Sequence, residues 1–147
     1  MFPGKAYNEI AVGDAFETAV TVTEAHLVLA AGLFGDFNPL HVNEAFAAKS
    51  RFGGRILHGP FTSALVSAPV GMYFHSHAIG YLEHNCRFLA PVRPGDTLAT
   101  RWEITGKLDK PKHDGGIAVM TASTKNQRGE VVATADGKIL VANRPAA

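Results

Sequence analysis

The feature that most limits how this chain can fold is one uncharged apolar run, residues 61–74, followed only by segments that read as strands. His58-Gly59-Pro60 stands directly before the run. Proline is favoured at a first helical position, because its missing N–H would have no intrahelical partner there. The spacing therefore predicts a helix starting near Gly59, and a helix apolar on all sides has to be buried. After it, residues 81–89, 97–108, 116–126 and 131–142 read as strands, each bounded by Gly, Pro, Asn or Asp. Asn126-Gln127-Arg128-Gly129 reads as the hairpin turn between the last two, while residues 107–116, polar and carrying Pro111 and a double glycine, read as an exposed, mobile loop. Residues 15–22 alternate enough to form an earlier strand. One strand, then helices, then four strands in a meander predict an α+β domain with an antiparallel sheet wrapped around the apolar helix.

The intervening stretch reads as short helices. Thr23 is a plausible N-cap. Glu24 to Phe34 then places Leu27, Ala30, Ala31 and Phe34 at helical spacing, and Gly35 stops the helix. Asn43 can cap a second helix, residues 44–49, which Gly53-Gly54 ends. Residues 1–14 form an arm closing on the turn Val12-Gly13-Asp14. At 147 residues the whole chain, 1–147, fits one domain with a real core. A net charge of +1 argues against nucleic acid or an anionic membrane surface as partner. The single cysteine, Cys86, excludes an intrachain disulfide framework and reads as a packing residue. No stretch approaches the roughly 20 apolar residues needed to span a bilayer, and residues 1–5 lack the pattern of a signal peptide. The expectation is a soluble, cytoplasmic protein.

Candidate chemistry lies in Gly35-Asp36-Phe37-Asn38-Pro39-Leu40-His41. Asn-Pro favours a turn, and one short turn can aim the Asp36 carboxylate and the His41 imidazole at a common point, where a water could sit. An Asx turn at Asp36 and a backbone-bonded His41 would have the same sequence. Gly59 offers an N–H at a helix N-terminus, a donor for developing negative charge. Base, acid and oxyanion donor are the parts of a hydratase. His75-Ser76-His77 lacks partners at ligand spacing, so no metal is expected, and Ser63 lacks a hydrolase elbow.

Asp36-Phe37-Asn38-Pro39-Leu40-His41, followed by Ala45, Phe52, Ile56 and His58-Gly59, resembles the hydratase motif of the MaoC-like dehydratases, a group that includes the (R)-specific enoyl-CoA hydratases. Residues 88–98, with the turn Arg93-Pro94-Gly95-Asp96, resemble the strand and turn after that family's central helix, and the likeness spans residues 7–141. Asn43 stands where the family often has Asp, and Pro60 where it often has a larger apolar residue. The resemblance implies a hot-dog fold and a homodimer or dimer of dimers with the acyl pocket at the dimer interface. It implies reversible hydration of trans-2-enoyl thioesters to (R)-3-hydroxyacyl thioesters, in fatty acid metabolism. Coenzyme A would be part of the substrate, and no separate cofactor is needed. Asp36 would activate the water, His41 would orient it and handle the second proton, and Gly59 would hold the thioester oxygen. Asn38 and His58 would fix the site, and Phe61, Leu65 and Ser67 would line it. Helical spacing adds Ala68 and Met72 to that stripe, with Tyr73 and Phe74 at its end, which favours a short acyl chain. A hot-dog thioesterase and a non-catalytic acyl-thioester-binding subunit remain the alternatives.

Overall fold

A computed structural model describes residues 4–146. Among these, the chain forms β1 (Ala15–Thr21), α1 (Glu24–Phe34), α2 (Pro39–Val42), α3 (Glu44–Ala47), α4 (Gly59–Phe74), β2 (Ala78–Phe88), β3 (Thr97–Lys110), β4 (Gly115–Lys125) and β5 (Val131–Ala142). The strands make one antiparallel sheet in the order β1-β3-β4-β5-β2. The expected four-strand meander is thus corrected: β3, β4 and β5 follow one another, but β2 pairs with β5 at the far edge. Strand patterns carry no label for the partner, and the segment after β2 crosses back past the sheet before β3 begins.

The core is built by period-two alternation. Leu98, Thr100, Trp102 and Ile104 point inward from β3, while Ala99, Arg101 and Glu103 face out. Trp102 and Ile104 of β3 and inward residues of β4 and β5 meet Val66, Val70 and Phe74 of α4 in one apolar cluster, while Leu98 packs in a second one with Val22, Leu27, Leu57, Val92 and Val132. Since α4 also touches both edge strands, β1 and β2, the sheet curls around it. This is the hot-dog arrangement. Polar groups of β3 that enter this core are matched. Trp102 Nε1 donates to the Val66 carbonyl at 2.8 Å, one residue after the carbonyl that Pro69 leaves without its helical N–H. Thr100 and Thr124, opposite each other across β3 and β4, bond through their hydroxyls at 2.8 Å.

Residues 107–116 are not a mobile loop. β3 runs to Lys110, a single 3₁₀ turn covers Pro111–His113, and β4 starts at Gly115. Their polar side chains clasp the N-terminal arm instead. Lys107 Nζ donates to the carbonyls of Tyr7 (2.9 Å) and Ile10 (2.7 Å) and stands 4.3 Å from the Tyr7 ring. The Tyr7 hydroxyl donates to Asp109 at 2.6 Å, and burial with that carboxylate pushes the phenol up to about 12. A Cβ on Gly116 would run into the Tyr7 ring, which explains the glycine. The 126–129 hairpin forms as expected, with Gly129 N–H on the Asn126 carbonyl at 2.9 Å. Two further boundaries move: β2 begins at Ala78, and α3 ends at Ala47. No helix among the described residues is long and apolar enough to cross a membrane.

Candidate active site

α1 ends on Gly35, whose φ of 70° is left-handed and whose N–H returns to the Ala31 carbonyl. The chain therefore turns sharply into Asp36. Asp36 Oδ1 accepts from the Asn38 N–H at 3.1 Å, an Asx turn, and Asn38 Oδ1 caps α2 through the Leu40 N–H at 3.0 Å. Pro39 fills the first position of α2. These three residues place His41 one turn beyond Asp36.

The tautomer of His41 follows from its partner. Nδ1 lies 2.8 Å from the Ile56 carbonyl, which can only accept, so Nδ1 carries the proton and neutral His41 presents a bare Nε2. That nitrogen faces Asp36 Oδ2 at 3.8 Å. Two acceptors at this separation cannot bond each other, but one water can donate a hydrogen to each.

His58, fully buried, precedes α4. Its Nε2 donates to the Asp36 carbonyl at 2.9 Å, and its ring stacks on His41 with centroids 3.8 Å apart. Its Nδ1 is buried without a partner. Just after it, Pro60 has no N–H, and the Phe61 and Thr62 N–H groups both turn to the His58 carbonyl. The Gly59 N–H is the amide left over in this first turn, with no partner among the described residues. Donor atoms of Asp36, His41 and His58 all lie within 4.8 Å of one another, a spacing that suits a shared water and also a metal ion.

The structure therefore brings Asp36, Asn38, His41, His58 and Gly59 together. The helix residues divide. Phe61 packs beside His26 and Phe34. Leu65, Ala68, Met72 and Tyr73 line an apolar cavity of ≈ 390 Å³ closed on one side by Phe16, which stacks on Tyr73 at 4.0 Å. Phe74 does not reach it: its ring is wholly buried against the sheet. The Ser67 hydroxyl is turned back onto the Ala64 carbonyl at 3.0 Å. Phe34, at helical spacing with the buried Leu27, Ala30 and Ala31, is 47% exposed, with its ring toward His58 and Phe61.

A second polar chain escaped the sequence. His84 bonds the Ser63 hydroxyl through Nε2 at 2.8 Å and the Tyr81 hydroxyl through Nδ1 at 3.0 Å. A bulge in β2 between Tyr81 and Glu83 makes this possible by bringing residues three apart to one face. Burial lowers the basicity of His84 and pushes the Cys86 thiol up, in keeping with a packing cysteine.

The MaoC-like domain pattern matches residues 8–127 of this chain. An (R)-specific enoyl-CoA hydratase of Rhodospirillum rubrum is 32% identical over 138 residues, covering 94% of this chain and 92% of that one. The chain belongs to the MaoC-like domain family. A second (R)-specific enoyl-CoA hydratase, of Aeromonas caviae, is 33% identical over 116 residues and covers 78% of this MaoC-like chain and 83% of its own. Among solved structures, an unliganded R-hydratase of Pseudomonas aeruginosa superposes with a TM-score of 0.84 at 33% identity, over 95% of this chain and 86% of that one.

Proposed function

We propose that this MaoC-like protein is a hydro-lyase that adds water reversibly to trans-2-enoyl-CoA thioesters, giving (R)-3-hydroxyacyl-CoA. The observation that carries the reading is the pair of acceptors, Asp36 Oδ2 and His41 Nε2, 3.8 Å apart beside a free Gly59 N–H. A water donating to both has a lone pair left for attack. As its oxygen bonds to Cβ, Asp36 takes one proton, and the electrons of the double bond pass to the thioester oxygen at the Gly59 N–H. The proton taken by Asp36 passes to the facing Nε2 of His41 and from there to Cα as the enolate collapses, so the carboxylate and the neutral imidazole are both restored. General acid–base steps of this kind contribute about 10²–10⁴-fold each, and a preorganised amide donor adds electrostatic stabilisation.

Similarity to proteins named (R)-specific enoyl-CoA hydratase supports the reaction and its stereochemistry. Asn38 and His58 act as positioning residues. Phe61 and Leu65 guide the acyl chain from Gly59 toward the cavity that Phe16 and Tyr73 close, which favours crotonyl-sized chains. Ser67, with its hydroxyl engaged on α4, contributes bulk rather than a hydrogen bond. The protein works in fatty acid metabolism in the cytoplasm as a homodimer or a dimer of dimers, with the acyl pocket completed at the interface. The exposed apolar side chains Ile79, Leu82 and Phe88 on edge strand β2 support assembly.

Incubation with enoyl-CoA esters tests the reaction. Loss of the conjugated enoyl absorbance without free thiol is the expected result. Free thiol would indicate hydrolysis, and no change would indicate a binding subunit. Turnover should survive a chelator; its loss would assign a metal to the Asp36–His41–His58 cluster. Across chain length, kcat/KM should fall from crotonyl-CoA in graded steps, since each methylene is worth about 1–3 kcal/mol of discrimination. A maximum at octenoyl-CoA would overturn the short-chain preference alone.

A further inference from the structure

The carbonyl that sets the His41 tautomer lies in a stretch with no regular structure of its own. Residues 48–58 form neither helix nor strand. Within them, the Ile56 carbonyl accepts from His41 Nδ1 at 2.8 Å, and the Ile56 N–H donates to the Leu40 carbonyl at 3.1 Å. Irregular backbone needs an outside anchor to hold one geometry, and the residue before Ile56 supplies it. Arg55 Nη1 and Nη2 donate to the two carboxylate oxygens of Glu24 at 2.5 and 2.9 Å, and Arg55 Nε donates to Glu44 at 2.7 Å. Glu24 is the first residue of α1, and Glu44 the first of α3, three positions after His41. These hydrogen bonds push the guanidinium up and draw the Glu24 carboxyl down, so all three groups stay charged around neutral pH. One side chain therefore ties the starts of two helices to the backbone that bears on His41.

We propose that Arg55 is a positioning residue for the reaction: by gripping Glu24 and Glu44 it holds the Ile56 carbonyl against His41 Nδ1, and so keeps Nε2 bare for the shared water. The inference deepens the hydratase reading and rests on it. Both carboxylates are more than half exposed, and ion pairs so placed add little to stability. What a forked guanidinium fixes is direction, because its planar donors meet a carboxylate in one geometry. The direction matters at His41 because the partner of one ring nitrogen decides where the proton sits. If the Ile56 carbonyl withdraws, the proton is free to move to Nε2. That nitrogen then turns from acceptor to donor toward Asp36 Oδ2, 3.8 Å away, and the water loses one of its two acceptors. A second fork in the molecule provides the contrast. Arg144 grips both oxygens of Glu9 and also bonds Asn8 and Gly4, all in the N-terminal arm and away from the Asp36–His41 turn.

The test compares Arg55→Gln with Arg144→Gln and wild type by two measurements. The first is ring nitrogen NMR, which separates the two neutral tautomers of a histidine; the His41 signals are assigned by their absence from His41→Ala. Wild type should carry the His41 proton on Nδ1. Arg55→Gln should move part of the population to Nε2–H, and Arg144→Gln should not. The second is turnover of crotonyl-CoA. Arg55→Gln should lose about 10- to 10²-fold in kcat, the scale of small misplacements, with KM nearly unchanged, while Arg144→Gln keeps both. An unchanged His41 tautomer in Arg55→Gln would overturn the proposal. So would an equal kcat loss in the two variants, or a change confined to KM. Should Arg55→Gln fail to fold, the double variant Glu24→Ala, Glu44→Ala removes the anchors and leaves Arg55 in place, and it carries the same expected and refuting results. If wild type turns over no ester, the hydratase reading fails, while the tautomer measurement still decides whether Arg55 sets the state of His41.

Discussion

Two histidine networks flank the first half of α4, and they are built on opposite rules. Around His84 the polar atoms close on themselves: both ring nitrogens are bonded, to Ser63 and Tyr81. Around His41 and His58 each ring spends one nitrogen on a backbone carbonyl, Ile56 or Asp36, and leaves the other open. A buried lone pair without a partner costs stability. A fold keeps such a feature where the missing partner arrives with the substrate or water. Satisfied polar groups hold a structure together, whereas open ones, preorganised by satisfied neighbours, do chemistry.

Removing the open acceptors should give the largest effect. Asp36→Ala and His41→Ala should each lower kcat by about 10²–10⁴-fold with the thermal transition retained. The double variant should be far less impaired than the product of the single losses, because the two act as a unit. A folded His41→Ala enzyme with near wild-type kcat would erase the distinction between the networks.

His58 tests how much positioning matters. His58→Ala frees the Asp36 carbonyl and the face on which His41 stacks, so kcat should fall by up to about 10²-fold, the scale of small misplacements. KM should move much less. A change in KM alone would make His58 a substrate contact.

The closed network should respond in stability instead. His84→Ala should leave kcat within a few-fold but cost about 1 kcal/mol for the lost hydrogen bonds, read by urea unfolding. Its pH dependence has a defined sign. Burial depresses the basicity of His84, so the folded protein binds its proton less readily than the unfolded chain. The stability tied to neutral His84 is present above about pH 6.5, the unfolded value, and is lost as pH falls through the lower folded value. His84→Gln should flatten that part of the profile, and a profile unchanged by the substitution would show that His84 stays solvated. The smallest effect belongs to Ser67→Ala. Its hydroxyl serves only the Ala64 carbonyl, so stability and kcat/KM should stay within about 0.5 kcal/mol of wild type; a tenfold drop would place that hydroxyl on the substrate.

Much of the open network was readable in the chain because it is local. Asp36, Asn38 and His41 are set by a helix-ending glycine, an Asx turn and a proline, all within seven residues. Gly59 was readable because proline follows it at a helix start. The apolar helix followed from the composition of residues 61–74 alone, and the hairpin at 126–129 from its turn residues; burial on all sides did not follow, since Val66, Val70 and Phe74 are buried while Ala64, Ala68 and Met72 stay exposed. What depends on distant partners was not readable. Nothing local says that β2 pairs with β5 rather than β3, since strand patterns specify a face and not a neighbour. The polar residues 107–116 looked like a loop because their partners, Tyr7 and Ile10, lie about a hundred positions away. Phe74, placed at the end of the Phe61–Met72 stripe, lies about 200° of helix rotation from Met72, so it faces the sheet and is core. His84 meets Ser63 and Tyr81 only because β2 carries a bulge. The tautomer of His41 waited on the Ile56 carbonyl, fifteen residues on. By itself, then, the sequence determined most of the elements, the chemistry-bearing turn and the apolar helix, which rest on backbone preference and composition. Tertiary structure decided the strand order, which face of that helix is buried and which nitrogens are free, because each depends on contacts between segments far apart in the chain.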